Sequence, residues 1–170
     1  MGVLTLSVST LNIDPMSQTL RDELRQDKPV NSLCEEAALS VLRTEALVVE
    51  RLDRVLAPHG LSMPQYNVLR ILRGAGRGGL CRNEVRDRLI SRMPDVSRLL
   101  DRMESAGLVY RVRSTEDRRL VNTTLTPKGR MLVDVLDEEV VAAHETLLGH
   151  LSNEQLQTLI DLLSLARAAP

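Results

Sequence analysis

The sequence predicts a mainly α-helical fold with a small β-wing, and three observations lead to this prediction. Aromatic residues are almost absent, with two Tyr and no Phe or Trp in 170 residues. The core must therefore be built from aliphatic residues, many of which suit helices. From residue 32 onward, apolar residues recur mostly at helical spacing. Two short β-rich runs joined by a charged turn interrupt this pattern between residues 108 and 125.

A short amphipathic helix is predicted before the β-rich runs, over about residues 94–106. Its apolar residues fall at i, i+3, i+4 and i+7 and share one face: Val96, Leu99, Leu100 and Met103. Pro94 suits the first helical turn, where a missing N–H costs nothing. Gly107 suits the left-handed position just after the last turn.

The β-rich runs predict a hairpin with strands at Leu108–Arg113 and Leu120–Leu125. The turn between them, Ser114–Arg119, is polar and charged. A helix followed by an arginine-tipped hairpin is the layout of a winged helix-turn-helix, a fold that commonly binds duplex DNA. The full fold prediction is a winged helix-turn-helix plus a helical dimerisation layer.

Groove dimensions suggest how these elements would meet DNA. A helix fits a major groove about 12 Å wide, and arginine on a slender hairpin enters a minor groove about 6 Å wide. Asp117 can orient Arg119 by a charge-assisted hydrogen bond. The predicted DNA-binding residues are Pro94, Asp95, Ser97, Arg98, Arg102, Arg113, Asp117, Arg118 and Arg119. Taken alone, an ordinary surface helix and a self-neutralising turn would account for the same residues.

The charge distribution favours DNA binding although the net charge is only −1. From Arg70 to Arg119 there are 13 basic and 7 acidic residues, against 9 basic and 16 acidic residues elsewhere. Binding responds to the local field of a patch rather than to the total charge. The scarcity of aromatic residues argues against single-stranded nucleic acids, whose recognition relies on stacking.

Helix signals divide the rest of the chain into an arm and a helical region. Residues 1–31 are predicted to form an N-terminal arm, and residues 61–125 the winged helix-turn-helix. Capping boxes at Ser32, Ser62 and Ser152 predict three helix starts. The predicted helices before the β-rich runs cover about 32–57, 62–73 and 82–90, and two more follow Thr126. Residues 32–60 and 126–170 are predicted to form a homodimer across a two-fold axis, with an intrachain bundle as the alternative.

Residues 61–150 resemble the MarR family of bacterial transcriptional regulators. The resemblance rests on Leu61–Leu72, on Val96–Val109, on Asp117–Arg119 as the wing signature, and on Leu125–Gly129 as the start of the next long helix. One departure is Arg86, which stands where the family usually has a small apolar residue. The resemblance implies a dimeric repressor that binds operator DNA. It also implies a small, often phenolic or aromatic, effector bound between the dimer layer and the DNA module.

We expect no catalytic, metal or cofactor site, so the protein is predicted not to be an enzyme. The three histidines are scattered, and no cysteine or carboxylate completes a ligand pattern around them. No signal sequence and no run of about 18 apolar residues is present, which predicts a cytoplasmic protein without a membrane partner.

Two other functions stay open. A thiol-based redox regulator would use Cys34, although a buried core cysteine is the preferred interpretation, and Cys81 is predicted to be a half-exposed structural thiol. A helical protein-binding adaptor would bind its partner without the steep salt dependence of DNA binding.

Overall fold

The computed structural model describes residues 20–25, 32–113 and 121–168. Within that part the helices are α1 (Leu20–Leu24), α2 (Leu33–Leu56), α3 (Met63–Ala75), α4 (Arg82–Arg88), α5 (Val96–Ser105), α6 (Pro127–Leu148) and α7 (Asn153–Arg167). The strands are β1 (Leu80–Cys81), β2 (Val109–Arg113) and β3 (Val121–Leu125). Short 3₁₀ turns follow α2 at Ala57–His59 and α3 at Gly76–Gly78. The predicted mainly helical fold with a small wing is confirmed.

The chain divides into two compact units, Leu47–Leu147 and the remainder. The larger unit contains the hydrophobic core, which is built from aliphatic side chains and one tyrosine, Tyr66. In the smaller unit, α1 lies against α2 through an ion pair between Arg43 Nε and Glu23 Oε2 at 3.2 Å.

The apolar face of α5 is buried as the sequence predicts. Its four stripe residues, Val96, Leu99, Leu100 and Met103, are each 4 % exposed or less. The helix ends where Gly107 takes a φ of +70°, so the predicted left-handed position is confirmed. Burial of this face fixes which side chains of α5 point outward.

The wing is a three-stranded antiparallel sheet in the order β1-β3-β2. Val109 pairs with Leu125 and Arg113 with Val121 across β2 and β3. The strand β1 was not predicted, because two residues carry no alternation and the strand exists only by pairing with β3. Gly79 precedes it with a φ of +64°, and a Cβ there would lie 2.5 Å from the Thr123 carbonyl oxygen. The glycine-rich residues 74–79 therefore connect α3 to β1 and also pass close to the backbone of β3.

Side-chain caps begin several of the helices. The predicted box at Ser62 is present, with the Ser62 N–H donating to Gln65 Oε1 at 2.9 Å. The box at Ser152 is also present, with the Gln155 N–H donating to Ser152 Oγ at 3.2 Å. At α2 the Glu35 N–H donates to Ser32 Oγ at 3.2 Å. These bonds satisfy donors that have no partner within the helix.

Three local expectations were wrong. Pro94 is not in the first turn of α5, because Asp95 takes the cap position and the helix begins at Val96. The helix predicted over residues 82–90, α4, ends at Arg88, since Leu89 is extended and the Ile90 N–H donates to the buried Asn67 side chain at 2.9 Å. Cys34 is exposed rather than buried, because the helix face that carries it is uncovered within the described chain.

Candidate nucleic-acid interface

The outward face of α5 carries three of the residues that are predicted to contact DNA. Arg98 and Arg102 are exposed and Ser97 is half-buried, while the opposite face is packed into the core. The Arg98 side chain is 84 % exposed. A guanidinium that is this accessible can form bidentate bonds to guanine or phosphate without desolvating the protein core.

Asp95 organises the first turn of α5. Its Oδ1 accepts the Arg98 N–H at 3.0 Å, and its Oδ2 pairs with Arg98 Nε at 3.0 Å. The carboxylate therefore caps the helix and orients the Arg98 side chain at the same time. Arg102, one turn later, donates from Nε to the Arg98 carbonyl at 3.3 Å. Pro94 is exposed directly before this cap.

Arg82, at the start of α4, lies beside these residues, although the sequence did not predict it to contact DNA. Its Nη1 donates to Ser97 Oγ at 3.5 Å, and its Nη2 donates to Asn83 Oδ1 at 3.3 Å. The helix α4 thus adds an exposed arginine beside the N-terminal end of α5. Arg86, the departure from the family pattern, is exposed and pairs with Asp87 at 2.9 Å, so it does not disturb the core beneath Val85.

On the wing, Arg113 is exposed at the end of β2, opposite Val121. Asp117, Arg118 and Arg119 lie outside the described residues, so their DNA contacts stay predictions. Arg111, two residues before Arg113 on the same strand, turns instead toward Asp101 and Glu104 of α5. No signal in the strand pattern distinguishes these two arginines. Only the i, i+3 placement of Asp101 and Glu104 on the helix could have suggested the difference.

A second set of charged residues joins α3 to α6. Arg73 pairs with Asp137 at 2.6 Å and with Asp134 at 3.1 Å. The hydrogen bond from Arg73 lowers the pKa of Asp137 below its usual value. Tyr66 is 2 % exposed, and burial raises the pKa of its phenol.

Beside this cluster lies a cavity of about 550 Å³, also between α3 and α6. Its walls include Tyr66, Arg70, Val140 and His144. The Arg70 guanidinium stands 5.9 Å from the centre of the Tyr66 ring. No carboxylate among the described residues lies within ion-pair distance of Arg70. Three carboxylates, those of Asp137, Glu138 and Glu145, also line the cavity. The cavity thus offers an aromatic edge, an apolar wall and, among acidic neighbours, the Arg70 cation.

Other classes of site find little support in the described part of the chain. No group of three or more His, Cys, Asp or Glu there is placed to hold a metal ion. None of the described helices is long and apolar enough to cross a membrane.

Comparison with known proteins identifies the family. Residues 59–120 match the MarR family model. The chain is 30 % identical over 146 residues to the HTH-type transcriptional regulator PecS of Dickeya dadantii, covering 85 % of this chain and 86 % of PecS. The chain belongs to the MarR family. It is a DNA-binding transcriptional regulator and not an enzyme, as predicted.

Two solved structures that are similar to this chain contain a bound partner. MepR of S. aureus, solved as a DNA complex, is 25 % identical with a TM-score of 0.69, over 78 % of this chain and 96 % of MepR. CouR of Rhodococcus jostii RHA1, solved with p-coumaroyl-CoA, is 25 % identical with a TM-score of 0.67, over 83 % of this chain and 99 % of CouR. DNA binding and small-molecule binding therefore both occur among proteins similar to this MarR regulator.

Proposed function

We propose that this MarR regulator is a cytoplasmic, homodimeric, ligand-responsive repressor that binds a two-fold symmetric operator. The observation that carries the proposal is the two-sided character of α5. One face is buried in the core, and the other presents Ser97, Arg98 and Arg102 to solvent. Two such helices in a dimer would enter successive major grooves about 34 Å apart. The wings would contact the flanking minor grooves or the backbone.

The proposed dimer rests on apolar surface that a single chain leaves uncovered. Leu33 and Leu42 on α2 are 84 % and 62 % exposed, and Leu162 and Leu165 on α7 are 58 % and 66 % exposed. Large apolar side chains exposed together on a helix are typical of an interface. An isologous pairing of these helices would bury them in both subunits.

Deleting residues 152–170 is expected to yield monomers or aggregates that no longer bind the operator. The deletion removes α7 and leaves the apolar residues of α2 without their proposed partner. Sedimentation analysis of the full chain and the truncated chain provides the measurement. A full chain that sediments as a stable monomer while binding a symmetric operator tightly would contradict the dimer.

The proposed effector is a small phenolic or aromatic molecule, and the cavity beside Tyr66 is its proposed site. Arg70 is the available cation for an acidic group on the ligand. Val140 and the Tyr66 ring offer apolar surface for an aromatic ring. CouR, whose p-coumaroyl-CoA ligand carries a phenolic acyl group, supports a phenolic compound as the chemical class to test first. p-Coumarate, the free acid of that acyl group, also has a carboxylate that Arg70 could bind.

Arg70→Ala is expected to reduce the binding of p-coumarate by about tenfold or more, since the acidic group would lose its charged partner. Calorimetric titration of the free protein measures the change. Arg54, an exposed arginine of α2 that pairs with Glu50, is the matched control, and Arg54→Ala should leave the affinity unchanged. Equal affinities for the wild type and Arg70→Ala would place any ligand elsewhere.

A thiol-based redox response is the second candidate function, because Cys34 is exposed in the first turn of α2. Cys81 is half-exposed and precedes α4, where its N–H donates to Glu84 Oε2 at 2.8 Å. Only Cys34 therefore stands free of a local capping role.

Peroxide at modest dose is expected to leave operator affinity unchanged in the wild type, in Cys34→Ser and in Cys81→Ser. This result would hold if neither thiol controls DNA binding. The measurement is an operator titration before and after oxidation, followed by reduction. A reversible release of DNA that disappears only in Cys34→Ser would replace the ligand-responsive function by the redox one.

A further inference from the structure

Three charged residues join α5 to strand β2 of the wing. Arg111 of β2 contacts two carboxylates of α5, with Nη2 2.5 Å from Asp101 Oδ1 and Nε 3.5 Å from Glu104 Oε2. The Arg111 backbone N–H also donates to Glu104 Oε1 at 3.1 Å. We name Asp101, Glu104 and Arg111 the helix–wing clasp.

Arg111 lies on the inward face of β2, where it is close enough to contact α5. Arg111 shares one face of β2 with Val109, which is 1 % exposed, and its cross-strand partner Thr123 is also 1 % exposed. The side chain of Arg111 itself is 30 % exposed. The side chains of Asp101 and Glu104 are 58 % and 42 % exposed, so the contact is held by its several bonds rather than by burial.

We propose that the helix–wing clasp positions the wing for operator binding, with Asp101 and Glu104 acting through Arg111 and not through DNA. The inference rests on the proposed function, in which α5 and the wing contact one operator together. The guanidinium of Arg111 is neutralised by two carboxylates of its own chain, whereas Arg113 has no ion-pair partner among the described residues. Arg113 is therefore the strand arginine available to phosphate, and Arg111 sets its direction.

The clasp lowers the entropic cost of operator binding. Without it, the orientation of the wing relative to α5 would have to be selected when the operator binds, at an entropic cost. With it, the major-groove and minor-groove contacts are arranged in advance. Operator affinity would fall when the clasp is broken, while non-specific binding, which depends on the number of phosphate-facing cations, would not.

The effect of Asp101→Asn separates positioning from electrostatics by its sign. Removing a negative charge from a DNA-facing element strengthens binding if charge alone matters. Breaking the clasp weakens it. Asp87 provides the matched control, since this exposed carboxylate on α4 pairs with its sequence neighbour Arg86 and joins no two elements.

The test uses the full chain and an operator duplex selected by the wild type from random DNA. Operator and non-specific affinities are measured over a range of salt for the wild type, Asp101→Asn, Glu104→Gln, Arg111→Gln, Asp101→Asn with Arg111→Gln, Arg113→Gln and Asp87→Asn. Thermal unfolding of each variant is recorded alongside. Should Arg111→Gln fail to fold, the two exposed carboxylate variants still decide the question.

Arg111→Gln is expected to weaken operator binding by about tenfold, and Asp101→Asn and Glu104→Gln by less, because each carboxylate variant leaves Arg111 its other partner. The double variant should bind no more weakly than Arg111→Gln alone, because that substitution already removes the Asp101 contact. The non-specific affinity and salt slope of these variants should match the wild type. Arg113→Gln should lower the salt slope by about one per subunit. Asp87→Asn should bind the operator at least as well as the wild type.

The clasp is overturned if Asp101→Asn binds as tightly as Asp87→Asn, if Arg111→Gln lowers the salt slope as Arg113→Gln does, or if the two clasp substitutions are additive. Arg98→Ala keeps this failure separate from a failure of the proposed function. If Arg98→Ala loses affinity while Asp101→Asn does not, only the clasp is wrong. If the wild type selects no operator, the proposed function is wrong and the clasp falls with it.

Discussion

Gly129→Ala is expected to destabilise the protein by about 3–5 kcal/mol, because a Cβ at this position would overlap the backbone of Leu108, the residue before β2. That Cβ would lie 2.1 Å from the Leu108 carbonyl oxygen. The approach cannot relax freely, since the Thr126 N–H donates to the same oxygen at 3.1 Å and Thr126 Oγ1 accepts the Gly129 N–H at 3.0 Å. Thermal unfolding should show a midpoint lower by roughly 6–20 °C for a chain of this size.

Gly74→Ala is the control for this substitution. Gly74 lies inside α3, and a Cβ there would have no atom within 4 Å. Replacing a helical glycine by alanine at an open site should stabilise the protein by up to about 1 kcal/mol. Equal unfolding midpoints for Gly129→Ala and the wild type would show that α6 does not pack tightly against Leu108, the residue before β2. The glycine in the Leu125–Gly129 segment has this steric role, which the sequence motif alone does not reveal.

Arg98→Ala and Arg102→Ala are expected to weaken operator binding by about 1–3 kcal/mol each, but in different ways. Arg98 lies in the first turn of α5 with its side chain oriented by Asp95, so we expect it to contact a base, most favourably a guanine. Arg102 is one turn farther along the helix, and we expect it to contact a phosphate. Loss of a phosphate contact should weaken all sequences alike and lower the salt slope by about one per subunit. Titrations at several salt concentrations, with operator and unrelated duplexes, distinguish the two.

Arg54→Ala serves as the control here as well, because Arg54 lies on α2 outside the winged-helix segment. It should leave both affinity and salt slope unchanged. If Arg98→Ala lowers the salt slope without changing sequence preference, while Arg102→Ala changes preference, the two roles must be exchanged.

Local rules predicted the parts of this fold whose causes are local. The buried face of α5 follows from the spacing of Val96 and the three residues that share its stripe. The caps at Ser62 and Ser152 follow from a glutamine three residues later. The start of α6 also follows, since Thr126 caps the helix and Pro127 begins it.

Features that depend on distant partners were not predictable in this way. The strand β1 needs β3, which lies about forty residues later, and Gly79 is required by the approach of Thr123. The clasp depends on which face of β2 turns inward, a choice that the hairpin register decides. The exposure of Cys34 could not be read from helical spacing, because an apolar stripe does not say whether its own chain covers it.

The central claim is that α5 reads the operator through Arg98, and sequence selection from random duplex DNA tests it most directly. The wild type is expected to enrich a palindrome whose half-sites lie about one helical turn apart. Arg98→Ala should lose preference at one symmetric pair of positions and keep the rest, while Arg102→Ala should return the wild-type sequence. The claim is contradicted if the wild type enriches no sequence, or if Arg98→Ala selects the same palindrome with the same preference at every position.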